Sequence, residues 1–277
     1  MKFLKVRRHF EEGDVFTVYL FGDQHRHNKN AAKDEMTRDR DEIAADPKGI
    51  CVLMGDSHEC ISKKDPRYDE HSVDWDLIGP DDFKYLSDAI VHDRTEFFAP
   101  LASQLAVDLG GNHDGRYARY AETDIRLRSL ERIGKAGAWV PGMGMALLRI
   151  NFTDKHRHAC QVEFNLHHGT RTSKSKATLL NSNLAKLCTN WYGVDFLARG
   201  HCHHKGVEDR MLIGPNATHT RLGDKRVASV LTGGYLKTYR EDGECYAEDM
   251  DLDPLDIGMQ RIRIYPKRSG ATWSALV

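Results

Sequence analysis

Five apolar segments of this sequence end in the same way, at a glycine or directly at residue types that commonly bind metal ions. The five ends are Asp23-Gln24-His25, Gly55-Asp56, Gly111-Asn112-His113-Asp114, His167-His168-Gly169 and Gly200-His201-Cys202-His203. Each of them alone is compatible with an ordinary polar turn, because Asn, Asp and Gly are common turn residues. Five such ends in one chain instead indicate a shared site, since sites of α/β sheets form outside the carboxyl ends of the strands.

The segments that lead into these ends have the composition of β-strands. Residues 15–21 are β-branched and aromatic, and residues 50–54 are continuously apolar, as expected for a strand buried on both faces. Residues 146–152 and 160–166 predict a hairpin, because the second segment alternates apolar and polar residues. Further strands are predicted at 105–109, 194–198, 227–232 and 260–265.

Apolar residues at helical spacing predict α-helices between these strands. The predicted helices span residues 31–45, 81–100, 119–133 and 173–187. This succession of strands and helices indicates a mixed α/β sheet. The sequence shows no linker, repeat or low-complexity segment, so we predict a single domain over residues 1–277. It would carry a polar insert loop near 62–80 and a C-terminal extension near 240–277.

The composition restricts the classes of function. Lys and Arg total 40 against 41 Asp and Glu, a formal net charge of -1, which argues against a protein that coats nucleic acid but not against a local basic groove. The mean hydropathy is -0.57, and no apolar run approaches the roughly 20 residues of a membrane span. The first nine residues lack the apolar segment of a signal peptide. We therefore expect a cytoplasmic protein with reduced cysteines and no membrane partner.

The donor types at the five ends indicate two metal ions rather than one. Without His113 they supply two carboxylates, one amide oxygen and four imidazoles, more than a tetrahedral zinc site uses. The mixed oxygen and nitrogen set suits Mn, Fe, Zn or Co better than Ca or Mg, which prefer oxygen ligands. In an extended backbone, residues two apart face the same way. Asp23 is therefore expected to face the same point as His25, and His201 the same point as His203.

The motifs D-x-H, G-D, G-N-H-D, H-x-G and G-H-x-H, in this order, resemble the calcineurin-like metallophosphoesterase superfamily over about residues 15–235. The resemblance implies a four-layer α/β/β/α sandwich of two mixed β-sheets flanked by helices. It also implies two divalent metal ions, with Mn expected first and Fe, Zn, Co or Ni as alternatives. The implied metal ligands are Asp23, His25 and His203 for one ion, Asp56 as a bridge between the ions, and Asn112, one of His167 and His168, and His201 for the other ion.

The resemblance also implies roles beside the metal ions. His113 matches the family's histidine that contacts the phosphate and protonates the leaving group, and Asp114 would orient it, as carboxylates orient imidazoles. The H-x-G pattern favours His167 as the ligand over His168.

Three further residues are candidates for substrate binding. His168 is one of them, if His167 is the ligand. His58 is the second, because many relatives have an apolar pair after G-D, where this sequence has Ser57-His58. Arg116 could pair with a phosphate oxygen, and an ordinary surface position is the equal alternative.

The function implied by the resemblance is phosphoester hydrolysis through a hydroxide that bridges the two ions. The insert at 62–80 favours a phosphodiesterase that acts on nucleotides or nucleic acid, although a near-neutral charge argues against long duplex DNA as substrate. A phosphomonoesterase, including a protein phosphatase, is the main alternative. A non-catalytic metal-binding scaffold is a third hypothesis.

Overall fold

In a computed structural model of the chain, the structure describes residues 1–59, 68, 70–79, 85–169, 175–191, 193–215, 222–237 and 255–276. The strands are β1 (Lys2–His9), β2 (Phe16–Phe21), β3 (Ile50–Leu53), β4 (Leu105–Asp108), β5 (Ala146–Thr153), β6 (Ala159–His167), β7 (Phe196–Arg199), β8 (Lys205–Pro215), β9 (Leu222–Gly234), β10 (Gly258–Lys267) and β11 (Gly270–Leu276). The helices are α1 (Lys33–Ala45), α2 (Leu86–Phe98), α3 (Asn112–Ala121), α4 (Ile125–Arg132) and α5 (Lys176–Asn190).

The strands form one connected mixed sheet, which confirms the expected α/β class. Its order is β1-β5-β6-β7-β9-β10-β2-β3-β4, with β8 paired to β9 and β11 paired to β10. In one half, β2, β3 and β4 are parallel neighbours; in the other half, β6, β7 and β9 are. The halves meet at a short pairing, Gly258 with Gly234 and Met259 with Gly233. Each half therefore directs the carboxyl ends of its parallel strands to one edge.

A shared apolar core joins the two halves of the sheet. Phe16 of β2 contacts Phe152 of β5, with ring centroids 5.0 Å apart, and Phe164 of β6 stacks on Phe196 of β7 at 4.4 Å. All four rings are buried, and burying each side chain contributes about 1.5–3 kcal/mol. A second apolar cluster lies between β2–β4 and helices α1 and α2, and a third lies under α5. No helix among the described residues is long and apolar enough to cross a membrane.

The last two strands, β10 and β11, belong to the sheet. β10 lies between β9 and β2, and it also pairs with β11. The predicted hairpin is confirmed as β5 and β6, which pair antiparallel from Ala146–Leu166 to Thr153–Ala159. Residues 62–67, 69 and 80 of the predicted insert loop, the start of the predicted helix at 81–84 and residues 240–254 of the predicted C-terminal extension lie outside the described residues.

The prediction of one helix over 119–133 was wrong. Helix α3 already begins at Asn112, inside the Gly111–Asp114 motif, and it ends at Ala121, after which Glu122 is left-handed with φ 53°. Helix α4 then begins after Asp124, whose side chain accepts hydrogen bonds from the backbone N–H groups of Arg126 and Leu127. An N-cap of this kind satisfies the unpaired donors of a new helix, so the chain restarts there.

Candidate metal centre

The carboxyl ends of the strands bring most of the predicted ligands together. Asp23, His25 and His203 form one group, and their candidate ligand atoms all lie within 4.8 Å of one another. A second group that meets the same distance limit consists of Asp56, His168 and His201. The groups adjoin, since Asp23 Oδ1 lies 3.6 Å from His203 Nε2 and 4.0 Å from His168 Nε2.

The backbone at these residues is left-handed rather than extended. Seven described residues other than glycine have a positive φ, and five of them are predicted ligands: Asp23 (52°), His25 (46°), Asp56 (48°), His201 (65°) and His203 (57°). Asp23 and His25 do face one point, as expected, but strand alternation is not the reason, because their backbone is not extended. His201 and His203 fall in different groups. A left-handed residue other than glycine costs about 1–3 kcal/mol, and such residues cluster at functional sites.

Two polar atoms of the first group are suited to bind a cation. Asp23 Oδ1 and His25 Nε2 are buried and have no hydrogen-bond partner among the described residues. Burying a polar atom without a partner is costly. His25 Nδ1 donates to Glu59 Oε2 at 2.8 Å, so His25 Nε2 carries the lone pair with which a neutral imidazole binds metal. A divalent ion would satisfy both atoms.

The second group is built around His168. Its Nδ1 donates to the carbonyl of Met54 at 2.9 Å, and its Nε2 lies 3.1 Å from Asp56 Oδ2 and 3.2 Å from Asn112 Oδ1. Burial lowers the pKa of His168, but the carboxylates of Asp56 and Asp23 outweigh it and raise the pKa to about 10. This position therefore favours a positive charge.

The two carboxylates of the site titrate differently. Burial is the largest influence on Asp23 and raises its pKa to about 6, with a further increase from Asp56. Burial also acts to raise the pKa of Asp56, yet His168 and His113 hold it well below its usual range. The carboxylate of Asp56 thus stays ionised in the interior, as a metal ligand must.

The structure places His168, and not His167, with the other candidate ligands. His167 is the last residue of β6, and its Nδ1 accepts a hydrogen bond from the Gly169 N–H at 2.9 Å. Its pKa falls to about 4 through burial and the charge of Arg199. Neighbouring residues of a strand point to opposite faces, so only one of the two histidines can face the site.

His113 lies at the edge of the first group, and Glu59 rather than Asp114 orients it. His113 Nδ1 donates to the Glu59 carbonyl at 2.9 Å and lies 3.3 Å from Glu59 Oε1. The ring of His113 is 4.8 Å from that of His25. Glu59 was not predicted from the sequence, although it follows Asp56 by only three residues. One carboxylate therefore holds both a candidate ligand and the candidate acid.

Asp114 has a structural role instead of the predicted one. Its Oδ2 accepts hydrogen bonds from the backbone N–H groups of Gly111 at 2.9 Å and Asp56 at 3.0 Å. It thereby ties the start of α3 to the turn that carries Asp56. The N–H of His113 in turn donates to Asp56 Oδ1 at 2.8 Å.

The other two substrate candidates differ in position. His58 is completely buried and its Nε2 lies 3.1 Å from Asp93 Oδ2, so no part of it is exposed to a substrate in this structure. Arg116 is exposed on α3, one turn after Asn112 and on the same side of the helix. The N-terminus of α3 lies at the site, where its dipole favours an anion such as a phosphate; the N–H groups of Gly111 and His113 already donate to Asp114 and Asp56.

Glycines allow the strand ends to approach this closely. A Cβ on Gly111 would lie 1.9 Å from Asp56 Oδ1, and a Cβ on Gly234 would lie 3.2 Å from Cβ of both Asp23 and His203. The backbone at Gly111 and Gly234 therefore lines the site directly, without room for a side chain.

We expect Gly111→Ala to displace the Asp56 carboxylate and to destabilise the protein by about 1–3 kcal/mol, the usual cost of overpacking. Its affinity for Mn²⁺, measured by isothermal titration calorimetry, should fall. Gly137→Ala is the matched control, because no heavy atom of the described residues lies within 4 Å of a Cβ built there. Wild-type Mn²⁺ affinity in Gly111→Ala would contradict this view of the site.

No protein-family model matches this sequence, and no curated protein matches it. The arrangement of the site itself therefore carries the functional argument. It combines two adjoining groups of oxygen and nitrogen donors with an oriented histidine and a helix N-terminus. These elements together can hold two divalent ions and a phosphoryl group.

Proposed function

We propose that this protein is a metal-dependent phosphodiesterase that hydrolyses nucleotide or nucleic-acid phosphodiester bonds. The observation that carries the proposal is the pair of adjoining ligand groups, in which Asp23 Oδ1 and His25 Nε2 are buried without hydrogen-bond partners among the described residues. The resemblance favours Mn, with Fe, Zn, Co or Ni as alternatives, and the mixed oxygen and nitrogen donors suit such transition metals.

In this proposal each group holds one ion. Asp23, His25 and His203 would hold the first ion, and Asp56 would be shared by both. The remaining ligands of the second ion would be Asn112, His168 and His201. When bound, the two ions supply an activated water molecule and neutralise charge on the phosphoryl oxygens.

His113 would act as the general acid, which donates a proton to the leaving oxygen. Glu59 fixes the ring through Nδ1, so the opposite nitrogen, Nε2, is the one that would act. General acid catalysis of this kind contributes about 10²–10⁴-fold to a rate. The N-terminus of α3 and Arg116 would bind the phosphate oxygens and orient the diester.

We also propose that the fold is the four-layer α/β/β/α sandwich, with its two sheets linked at β9 and β10. Three observations support it: helices α1 and α2 pack on one side of β2–β4, α5 packs against β7 and β9, and the core around Phe16 and Phe152 lies between the halves.

The activity is tested with purified protein loaded with each of the five metals. The substrates are bis(p-nitrophenyl) phosphate, p-nitrophenyl phosphate, cyclic nucleotides, a dinucleotide, single-stranded and duplex DNA, and RNA. We expect diester cleavage that a chelator abolishes and Mn²⁺ restores. Faster cleavage of the monoester would identify a phosphomonoesterase instead. Two bound ions without any turnover would identify a scaffold.

A further inference from the structure

Asp93 of α2 makes contact with two loops that carry candidate metal ligands. Its Oδ2 lies 3.1 Å from His27 Nε2 and 3.1 Å from His58 Nε2. Arg26 binds the same carboxylate with two nitrogens, Nε at 2.8 Å and Nη2 at 3.0 Å. One side chain thus connects the segment after β2 with the segment after β3.

The residues that Asp93 contacts are close neighbours of the ligands. His27 follows His25 by two residues, and His58 follows Asp56 by two. The loops also run alongside each other, with the His25 N–H donating to the Asp56 carbonyl at 3.0 Å. A shift of either loop at Asp93 would therefore be passed on to the ligands.

The contacts of Asp93 are well buried. His58 is 0% exposed and His27 is 3% exposed. Burial acts to raise the pKa of Asp93, but hydrogen bonds from His27, His58 and Arg26 hold it well below its usual range. The carboxylate is therefore ionised. The next residue of α2, Arg94, donates from Nη1 to Ser57 Oγ at 2.5 Å and so adds a second attachment to the Asp56 loop.

We propose that Asp93 is a positioning residue, which clamps the Asp23–His25 loop to the Asp56–Glu59 loop and thereby sets the affinity of the site for divalent ions. This inference rests on the proposed function and extends it, since the clamp lies outside the ligand set. It also accounts for the left-handed backbone at Asp23, His25 and Asp56, because such conformations persist only where surrounding contacts enforce them.

A third metal ion is the competing explanation of the same cluster, because His27, His58 and Asp93 present their ligand atoms to one point. Two observations favour the clamp. Both oxygens of Asp93 already bind the Arg26 guanidinium. His27 Nδ1 is buried without a hydrogen-bond partner among the described residues, whereas a metal-bound histidine almost always donates its second N–H.

The test compares Asp93→Asn with Asp88→Asn. Asp88 lies on the same helix and pairs with Arg128 at 2.6 Å, but both side chains are exposed to solvent. Calorimetric titration of the metal-free proteins with Mn²⁺ should show that the dissociation constant of Asp93→Asn rises about 10–100-fold, the range seen when groups that orient metal ligands are removed. Asp88→Asn should match the wild type. High Mn²⁺ should restore diester cleavage by Asp93→Asn, which general loss of folding would not allow.

A second variant covers the case in which Asp93→Asn does not fold. His58→Gln keeps the Arg26–Asp93 ion pair and removes one contact of the clamp, so it should also weaken Mn²⁺ binding. Wild-type Mn²⁺ affinity in both variants would overturn the clamp and leave the proposed function intact. A third Mn²⁺ ion, present in the wild type and lost in His58→Gln, would overturn it as well. Absence of Mn²⁺ binding by the wild type would instead refute the two-ion site on which the proposal rests.

Discussion

Asp56→Asn is expected to abolish diester hydrolysis, with kcat/KM lowered by at least about 100-fold. The variant loses several kcal/mol of the charge stabilisation that the metal ions would supply to the transition state, and each 1.4 kcal/mol corresponds to about a factor of ten in rate. The variant keeps one side-chain oxygen for the His113 N–H, which donates to Asp56 Oδ1 in the wild type. It loses the negative charge and the second oxygen that faces His168. The shape of the site is thus largely preserved while its capacity to share two ions is removed.

The matched control for this variant is Asp154→Asn. Asp154 also pairs with a histidine, His158 at 3.0 Å, but it follows β5, at the end of the sheet opposite the candidate site. Mn²⁺ should raise the melting temperature of the wild type and of Asp154→Asn, since a ligand that binds only the folded state stabilises it. The melting temperature of Asp56→Asn should respond little. Normal turnover by Asp56→Asn would refute its assignment as the shared ligand.

His113→Gln is expected to lower kcat by about 10²–10⁴-fold, the usual contribution of a general acid. The variant should still bind two Mn²⁺ ions, because His113 belongs to neither ligand group in the proposal. The loss should be larger for a dinucleotide than for bis(p-nitrophenyl) phosphate, since an alkoxide leaving group needs protonation more than a nitrophenolate does. The measurement is kcat for both substrates at saturating Mn²⁺.

His92→Gln is the control for His113→Gln, because His92 is exposed on α2 and lies outside the proposed site. Loss of one Mn²⁺ ion from His113→Gln would show that His113 is a ligand, as its grouping with His25 and Glu59 allows. Equal losses for the two substrates would contradict the assignment of His113 as the acid.

The residues that converge at the candidate site were largely predictable from the sequence, because the signals that identify them are local. Each apolar strand is recognisable from its own residues, and parallel strands place their carboxyl ends at one edge of a sheet. That rule was enough to associate Asp23 with Asp56 and His201, although 178 residues separate the first from the last. The same rule could not decide between His167 and His168. Which of them faces the site depends on where the pairing of β6 with β7 ends, and it ends at His167.

The residues that support the ligands could not be predicted, since their contacts are made across the fold. Glu59 reaches His25 across 34 residues and Asp93 reaches Arg26 across 67. Neither lies in a motif that the strand pattern defines. The left-handed backbone at the candidate ligands was also missed, because residue type does not determine it.

Three strands were missed for a different reason. β1 and β11 lie at edges of the described sheet and β8 pairs only with β9 there, so they bury little apolar surface. In β1 the exposed positions carry Phe3, Lys5, Arg7 and His9, which conceals the usual strand signal. Charged residues are common on edge strands because they discourage pairing with other chains.

The most direct test of the two-ion site is an anomalous difference map from crystals grown with Mn²⁺. The account predicts two peaks about 3.5–4 Å apart, one beside Asp23, His25 and His203 and one beside Asp56 and His168. A single peak, or peaks only at His27, His58 and Asp93, would contradict it.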